Sequence, residues 1–528
     1  MSKPMVTSSA CLAGRRATCR GGMVFGSETE WGIQIKDKMG SEFFYRRPDP
    51  RELDAIVRIV RKMLNLPHQS YFGWETAGQE RRENDNPLLI TNLTFLTNGA
   101  RCYVDYPHLE YSTPECRSVF DLVAAEKAGE MIVEKAVAEF SREIGKEVLL
   151  LKHVSDRNGH SFAAHENYLI SRKLFDELVN HPLDGKNKKA AIWLSFLAVR
   201  HLITGSGKVG SEIKQDDQNY KISQRTEFIQ FYRTLTTTFD RAMINTRDEP
   251  FADPTKWGRL HVIIGDANLC QTALALKYFL SSQILKMLED DFLSIPVFKE
   301  PGDVFQTISQ DLSLKEKFRL ATDEEMSGLE YLGLISEKIE EYNRGTNDQE
   351  ILLLSKKLKE VITGLNEEPR NLFGVLDWPT KLVILEELEK IRQRNFGEKK
   401  RIDILYHLIG PTGFYRKMEE KGRIEQLVPK SKIIHFQDNP PVDTLAYLRG
   451  KCVRVFPEIV ANWHCLHHHK LKERNISPSG AYFDTQHFQI FFADPFIINR
   501  ETADDLFSRI SYPLDLIKEL SKILDREN

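Results

Sequence analysis

The chain has 528 residues, of which 41% are hydrophobic and 28% charged, and a net charge of −3. This balance describes a globular protein and argues against a general nucleic-acid binder, which needs surplus basic charge to meet phosphates. The length exceeds one ordinary core and predicts a large domain of about 300 to 400 residues plus a smaller one.

No apolar run of about 18 residues occurs, so no membrane span is expected. The cysteines are Cys11, Cys19, Cys102, Cys116, Cys270, Cys452 and Cys465. They are odd in number and contain no CxxC pair, which fits a reducing cytoplasm better than a disulfide framework.

Residues 1–22, "MSKPMVTSSACLAGRRATCRGG", are basic, small and acid-poor without an apolar stretch, and read as a disordered leader. Met23 opens a strand, "MVFGSETEWGIQI". Glu28 and Glu30 lie two apart on it and so share a face. On a solvent face such a pair is ordinary. Beside Phe25, Trp31 and Ile33 it suggests a cleft, where carboxylates need cations and an oxygen-rich cluster suits Mg²⁺.

Residues 51–65 place Leu53, Ile56, Val57, Val60 and Leu64 at helical spacing. Residues 73–87 read as a polar loop, and "LLITNLTFLTNGARCYVDY" as a β-hairpin around Thr97-Asn98-Gly99. Arg101, Tyr103 and Asp105 then alternate on one strand face, followed by Glu110 and Thr113. This set suits an Arg meeting phosphate and carboxylates meeting a metal or a reacting group; a salt-bridged sheet face is the alternative.

An amphipathic helix is expected over 119–144, a strand at "EVLLLKHVS", and His165 and Asn167 on one face of "HENY". A helical stretch over 188–204 ends at "GSGKVG". That segment lacks the Walker spacing and follows a helix, so it reads as a glycine-rich helix end. Arg225 sits in a strand-like run and Arg247 at a strand end, positions used for phosphates and for plain ion pairs alike. "GRLHVIIGDANL" is the clearest strand and puts Arg259 and His261 on one face, where both need partners. A long helix is expected over 270–290, and 310–396 reads as mostly helical. "NWHCLHHHK" reads as a surface tract, because adjacent histidines rarely converge on one zinc ion. "AYFDTQHFQIFFADPF" looks like a terminal hairpin.

Acid pairs, arginines and histidines on successive strands, with no nucleophilic Ser or Cys motif, describe a metal–nucleotide site on an antiparallel sheet with phosphoryl-transfer chemistry. The blocks "FGSETEWGI", "LTNGARCYVDYPHLEYSTPECRS", "HENYLIS", "YKISQR", "INTRDEPFADPTKWGRLHVIIGDANL" and "PPVDTLAYLRGKC" resemble the family of the Pup ligase PafA and the Pup deamidase/depupylase Dop, relatives of glutamine synthetase. The resemblance runs over nearly everything from Met23 onward.

It implies an α+β fold. Residues 23–429 would form a glutamine synthetase-like domain whose curved antiparallel sheet, packed by helices, carries ATP and Mg²⁺. Residues 430–528 would form a small C-terminal α+β domain. It further implies Glu28, Glu30, Tyr103, Glu110, His165 and His261 around the metal and Asp105 as catalytic aspartate. Arg101, Thr113, Asn167, Arg225, Arg247, Arg259 and Trp463 would stand around the nucleotide. The partners implied are a disordered Pup-like modifier and its conjugates.

The four residues between Asp105 and Glu110 resemble the Dop branch, whereas "FFADPF" resembles the ligase ending. "HLEY" stands for the usual "HPEY" and "NTRDEPF" for "NTRDEPH". The implied activity is ATP- and Mg²⁺-dependent deamidation of a terminal Gln and release of the modifier from lysine. A ligase acting through a glutamyl phosphate and a repurposed ATP-binding regulator are the alternatives.

Overall fold

The computed structural model describes residues 23–527 apart from 40, 67–94, 106, 156–160, 163, 185, 215, 237–240, 457–458, 472–474, 478–479 and 483–484. The expected leader, the polar loop at 73–87 and the first half of the Asn-Gly hairpin lie outside the described residues. Among those described, no helix is long and apolar enough to cross a membrane.

One long strand organises the sheet. β1 (Val24–Met39) alternates buried Ser27, Thr29 and Trp31 with half-buried Glu28 and Glu30. Its first half pairs with β4 (His108–Ser112) on one side and β6 (Ala164–Ser171) on the other. Its second half pairs with β2 (Glu42–Arg46) and β5 (Val148–Leu151). β3 (Arg101–Asp105) forms a tight hairpin with β4. Beyond β6 come β9 (Trp257–Val262), β8 (Ala242–Asn245) and β7 (Phe231–Thr234), and β10 (Leu408–Ile409) closes the β5 side. The described sheet has ten strands, all antiparallel except the β7–β8 pair. This is the antiparallel-dominated α+β architecture expected.

Strand alternation splits the sheet into two chemistries. On one face Phe25, Tyr168, Ile170, Leu260 and Val262 join the main core. There they pack with α2 (Val119–Ile144), α3 (Lys188–Val199) and α4 (Gln271–Glu289). The other face carries the charged residues of β1, β3, β4, β6 and β9. α1 (Pro50–Met63) begins with a capping box between Asp49 and Glu52 and buries Leu53, Ile56, Val57 and Val60 in a second core. Helices Gly328–Tyr342, Gln349–Glu367 and Asp377–Ile391 account for most of the expected helical stretch. A short ladder of Lys317–Arg319 with Glu325–Ser327 precedes them.

Three expectations are corrected. The stretch read as a terminal hairpin holds two strands with separate partners, Gly480–Tyr482 on Asn475–Ser477 and Thr485–Phe491 on Cys465–Leu471. The other two concern strands expected beside the site. The strand in "GRLHVIIGDANL" stops at Val262, and Arg225 is not on a strand but opens a 3-10 turn at Thr226–Phe228. Asp266 accounts for the departure at Arg225. Buried Asp266 accepts hydrogen bonds from the backbone of Ser206 (2.8 Å), Gln224 (2.9 Å) and Arg225 (3.2 Å), drawing these segments out of the ladder. The glycine segment 205–210 follows the short helix His201–Thr204. Its Lys208 is buried against Glu212 (2.8 Å) and Glu227, so it is not presented to a phosphate.

At the C-terminal end, Ile433 and Phe436 still pack into the main core. A third core gathers Leu445, Leu448, Cys452, Leu466, Ile490 and Leu516, and also takes in Phe95. The helix α5 (Leu445–Val455) approaches the 97–99 turn so closely that a Cβ on Gly99, at φ +75°, would meet Ala446 at 2.8 Å.

Behind the charged face, Arg200 and Glu166 are each 1% exposed and form a two-pronged pair, one bond at 2.7 Å. Tyr168 donates to Glu166 (2.7 Å), and Arg200 also donates to Ser281 (3.0 Å). Replacing Arg200 by Met strands a buried carboxylate. It should lower the unfolding free energy by about 3–5 kcal/mol, and a Glu166→Met/Arg200→Met double variant should recover most of that loss. Urea unfolding followed by circular dichroism measures both; an equal loss in the two variants rules the pair out as the source.

Candidate active site

The register assembles the site from five strands. Glu28 faces Ser112 on β4 and His165 on β6, and Glu30 faces Glu110, which in turn faces Tyr103 on β3. Asn167 stands opposite Gly26 and His261. Side chains directly across antiparallel strands lie side by side, so these acids, imidazoles and the phenol converge.

Two groups result. In the first, Glu28 accepts from Asn167 (3.1 Å), lies 3.1 Å from His165 Nδ1 and 3.5 Å from His261 Nε2, and is 3.6 Å from Arg259. Burial pushes Glu28 up, but the two imidazoles hold it well below the usual carboxylate range. Burial pushes His261 down to about 4 against the pull of Glu28, so this ring is neutral at neutral pH. In the second group, ligand oxygens of Glu30, Asp105 and Glu110 lie within 4.8 Å of one another. Burial and the charges of Glu28, Asp105 and Glu30 push Glu110 well above its ordinary value. Asp105 is the exposed member, at the hairpin tip; partial desolvation of its carboxyl and the neighbouring Glu30 raise it too. Burial and the nearby carboxylates also push the Tyr103 phenol well above its ordinary range. It keeps its proton and donates it to Glu110.

Three carboxylates this close repel one another, and a hard divalent cation is the natural counter-charge. The all-oxygen set of Glu30, Asp105 and Glu110 fits Mg²⁺. The Glu28 set brings two imidazoles, a mixed environment that many divalent ions accept.

Next to Glu28 opens a cleft. Its lining combines polar Glu28, Ser112, Thr113, Asn167 and Arg259 with apolar Val24, Leu169, Leu445 and Trp463. Such a slot suits a flat ring with a charged tail. Thr113 Oγ1 accepts from Ser27 N (3.0 Å), fixing β4 to β1 at the cleft wall. The Arg101 guanidinium lies 4.5 Å from the Tyr103 ring centre. Trp463 is placed by Arg449, which donates to its carbonyl (3.0 Å), to Gly99 O (3.1 Å) and to Glu115 (3.0 Å).

Of the residues singled out in the sequence, eleven meet around the two groups and the cleft: Glu28, Glu30, Arg101, Tyr103, Asp105, Glu110, Thr113, His165, Asn167, Arg259 and His261. Trp463 joins them from the C-terminal segment. Two stand apart. Arg247 is exposed on the loop after β8, its guanidinium 4.0 Å from Glu249. Arg225 is buried and donates to Phe162 O (2.5 Å), and burial lowers it to about 10. His108, 3.7 Å from Glu30, was passed over, although it shares the alternation of Glu110 and Ser112. Arg449 and Glu115 left no local signal, because their roles depend on contacts across more than 300 residues.

Comparison with known proteins shows the family. The family described as Pup-ligase protein matches residues 23–467. The chain is 31% identical to a depupylase of Acidothermus cellulolyticus over 83% of its own length and 89% of the relative. It is 34% identical to a Pup–protein ligase of Acidimicrobium ferrooxidans over 76% and 91%. Two solved structures share the fold. The ligase PafA in complex with Pup has a TM-score of 0.72 at 23% identity, covering 94% of this chain and 95% of that one. PafA in complex with ADP has a TM-score of 0.66 at 24% identity, covering 83% and 96%. The five-strand acidic site and these matches place the chain in the Pup-ligase protein family, whose depupylase and Pup–protein ligase members it resembles to a similar degree.

Proposed function

We propose that the protein is an ATP- and Mg²⁺-dependent amidohydrolase acting on the C-terminal residue of a Pup-like modifier. It would deamidate a terminal Gln to Glu and release the modifier from substrate lysines. The observation that carries this reading is the position of Asp105. It is the exposed carboxylate of the acidic trio, at the tip of a hairpin whose two-residue turn leaves four residues before Glu110. That spacing is the Dop-like one.

Glu30, Asp105 and Glu110 would hold Mg²⁺, with Glu28, His165 and His261 alongside. The ion would supply positive charge to the nucleotide phosphates and to oxygens that become negative during reaction. The chain's own residues do the rest. Asp105 either attacks the side-chain carbonyl, giving an anhydride that water then hydrolyses, or takes a proton from the attacking water; ammonia or the lysine amine leaves carrying a proton from water in the first case and from Asp105 in the second. Arg259, fixed by Asn167 (2.8 Å), and Arg101 supply positive charge for developing anions. Tyr103 orients Glu110 through its hydroxyl, and His165 and Asn167 orient Glu28. The cleft lined by Trp463 takes the nucleotide, a reading supported by its lining and by the ADP held by a protein of the same fold.

A ligase is the second reading, favoured by the similarity to a Pup–protein ligase over 91% of that relative. There the same site would phosphorylate the modifier's terminal Glu, and Asp105 would help deprotonate the incoming lysine.

Incubation with MgATP, a Gln-ended Pup and a pre-made conjugate separates the two. Ammonia and free modifier are expected, and Asp105→Asn should slow both by about 10²–10⁴-fold. Continuous ATP consumption with new conjugates would instead establish the ligase. Chelation of divalent ions should abolish the activity and Mg²⁺ should restore it. Tyr103→Phe, which frees Glu110 from its donor, should raise the Mg²⁺ concentration needed for half-activity by about 10–100-fold. An unchanged Mg²⁺ titration in that variant would remove Tyr103 from the metal site.

A further inference from the structure

We infer that Phe251 is a binding residue that walls the cleft against the base of the nucleotide, an inference that rests on the nucleotide reading above. Three observations meet at this side chain. First, its backbone lies at φ +51°. Five non-glycine residues among those described have positive φ: Asn65, Phe251, Asp291, Leu314 and Asp323. Asn and Asp tolerate this region; a bulky aromatic there is strained and is held only where surrounding structure dictates it. Phe251 alone of the five lines the cleft.

Second, the loop is pinned on both sides of that residue. Arg247 N donates to Asn245 Oδ1 (2.8 Å), and Asp253 N donates to Ala493 O (2.8 Å). The strained conformation is therefore held by β8 before it and by the C-terminal segment after it.

Third, the ring has both Arg259 and Trp463 as neighbours. The Arg259 guanidinium lies 5.3 Å from its centre, and Arg259 reaches Asn167 and Glu28 beyond. The rings of Trp463 and His464 lie 6.4 Å and 5.6 Å away, tilted by 35° and 38°. Phe251 is half-buried and lines the cleft, so part of the ring is open to a ligand. An aromatic surface beside Trp463 and Leu445, next to a cation, offers stacking to a flat base while the charged tail runs toward Glu28.

The test compares Mg²⁺-loaded ATP with Mg²⁺-loaded tripolyphosphate, which keeps the charged tail and lacks the base. Titration calorimetry on the full-length protein should show Phe251→Ala binding ATP about tenfold more weakly, with tripolyphosphate affinity unchanged. Phe251→Gly, which relieves the positive φ, should lose the same affinity while keeping or gaining thermal stability, and Phe251→Tyr should bind as the parent does. Parental ATP affinity in both Phe251→Ala and Phe251→Gly overturns the inference. An equal loss for ATP and tripolyphosphate also overturns it, since Phe251 would then act only through Arg259. Failure of the parent protein to bind ATP at all would defeat the nucleotide reading itself, which is a different result.

Discussion

Repulsion among carboxylates is the constraint around which this molecule is arranged. Glu30, Asp105 and Glu110 project oxygens to within 4.8 Å of one another, with Glu28 close enough to raise Glu110 further. A chain left to itself would spread such groups into water. Here the β1–β4 and β3–β4 registers forbid it, because each acid is fixed by a backbone ladder. The neighbours then compensate. Tyr103 keeps its proton and gives it to Glu110, His165 and Asn167 hold Glu28, and Arg259 stands 3.6 Å from that carboxylate. The remaining negative charge is what a cation and the phosphates it carries can use.

The buried side of the sheet has the opposite problem and a different solution. Glu166 lies between His165 and Asn167 in sequence but points into the core, where Arg200 neutralises it. A slip of β6 by one residue would move Glu166 to the site and His165 into the core, away from Arg200 and Glu28 respectively. The buried ion pair and the exposed acid cluster thus specify the same register from opposite faces.

Much of this was legible in the sequence because strand alternation is local. Period two alone pairs Glu28 with Glu30, Arg101 with Tyr103 and Asp105, His165 with Asn167, and Arg259 with His261. The same rule reaches His108 from Glu110, although the eye is drawn first to the acids. What stayed hidden depends on distant partners. Arg225 looked like a strand residue because Asp266, which bends its backbone into a turn, lies about 40 residues away. Arg449 and Glu115 read as ordinary surface charges until α5 docks on the Gly99 turn. Phe251 reads as a loop aromatic, since no sequence pattern announces a positive φ.

Phe95 precedes the strand that carries Arg101, Tyr103 and Asp105, yet its ring belongs to the core built from Leu445 to Leu520. The segment that leads into the strand of Asp105 and the C-terminal segment therefore share a hydrophobic nucleus across some 350 residues of chain. During synthesis the strand that bears Asp105 emerges long before the residues that bury Phe95. Until those residues follow, Phe95 is an apolar side chain without its core. The acids themselves are held by ladders made within residues 24–262, so the C-terminal core covers the flank of the site and does not assemble its charges.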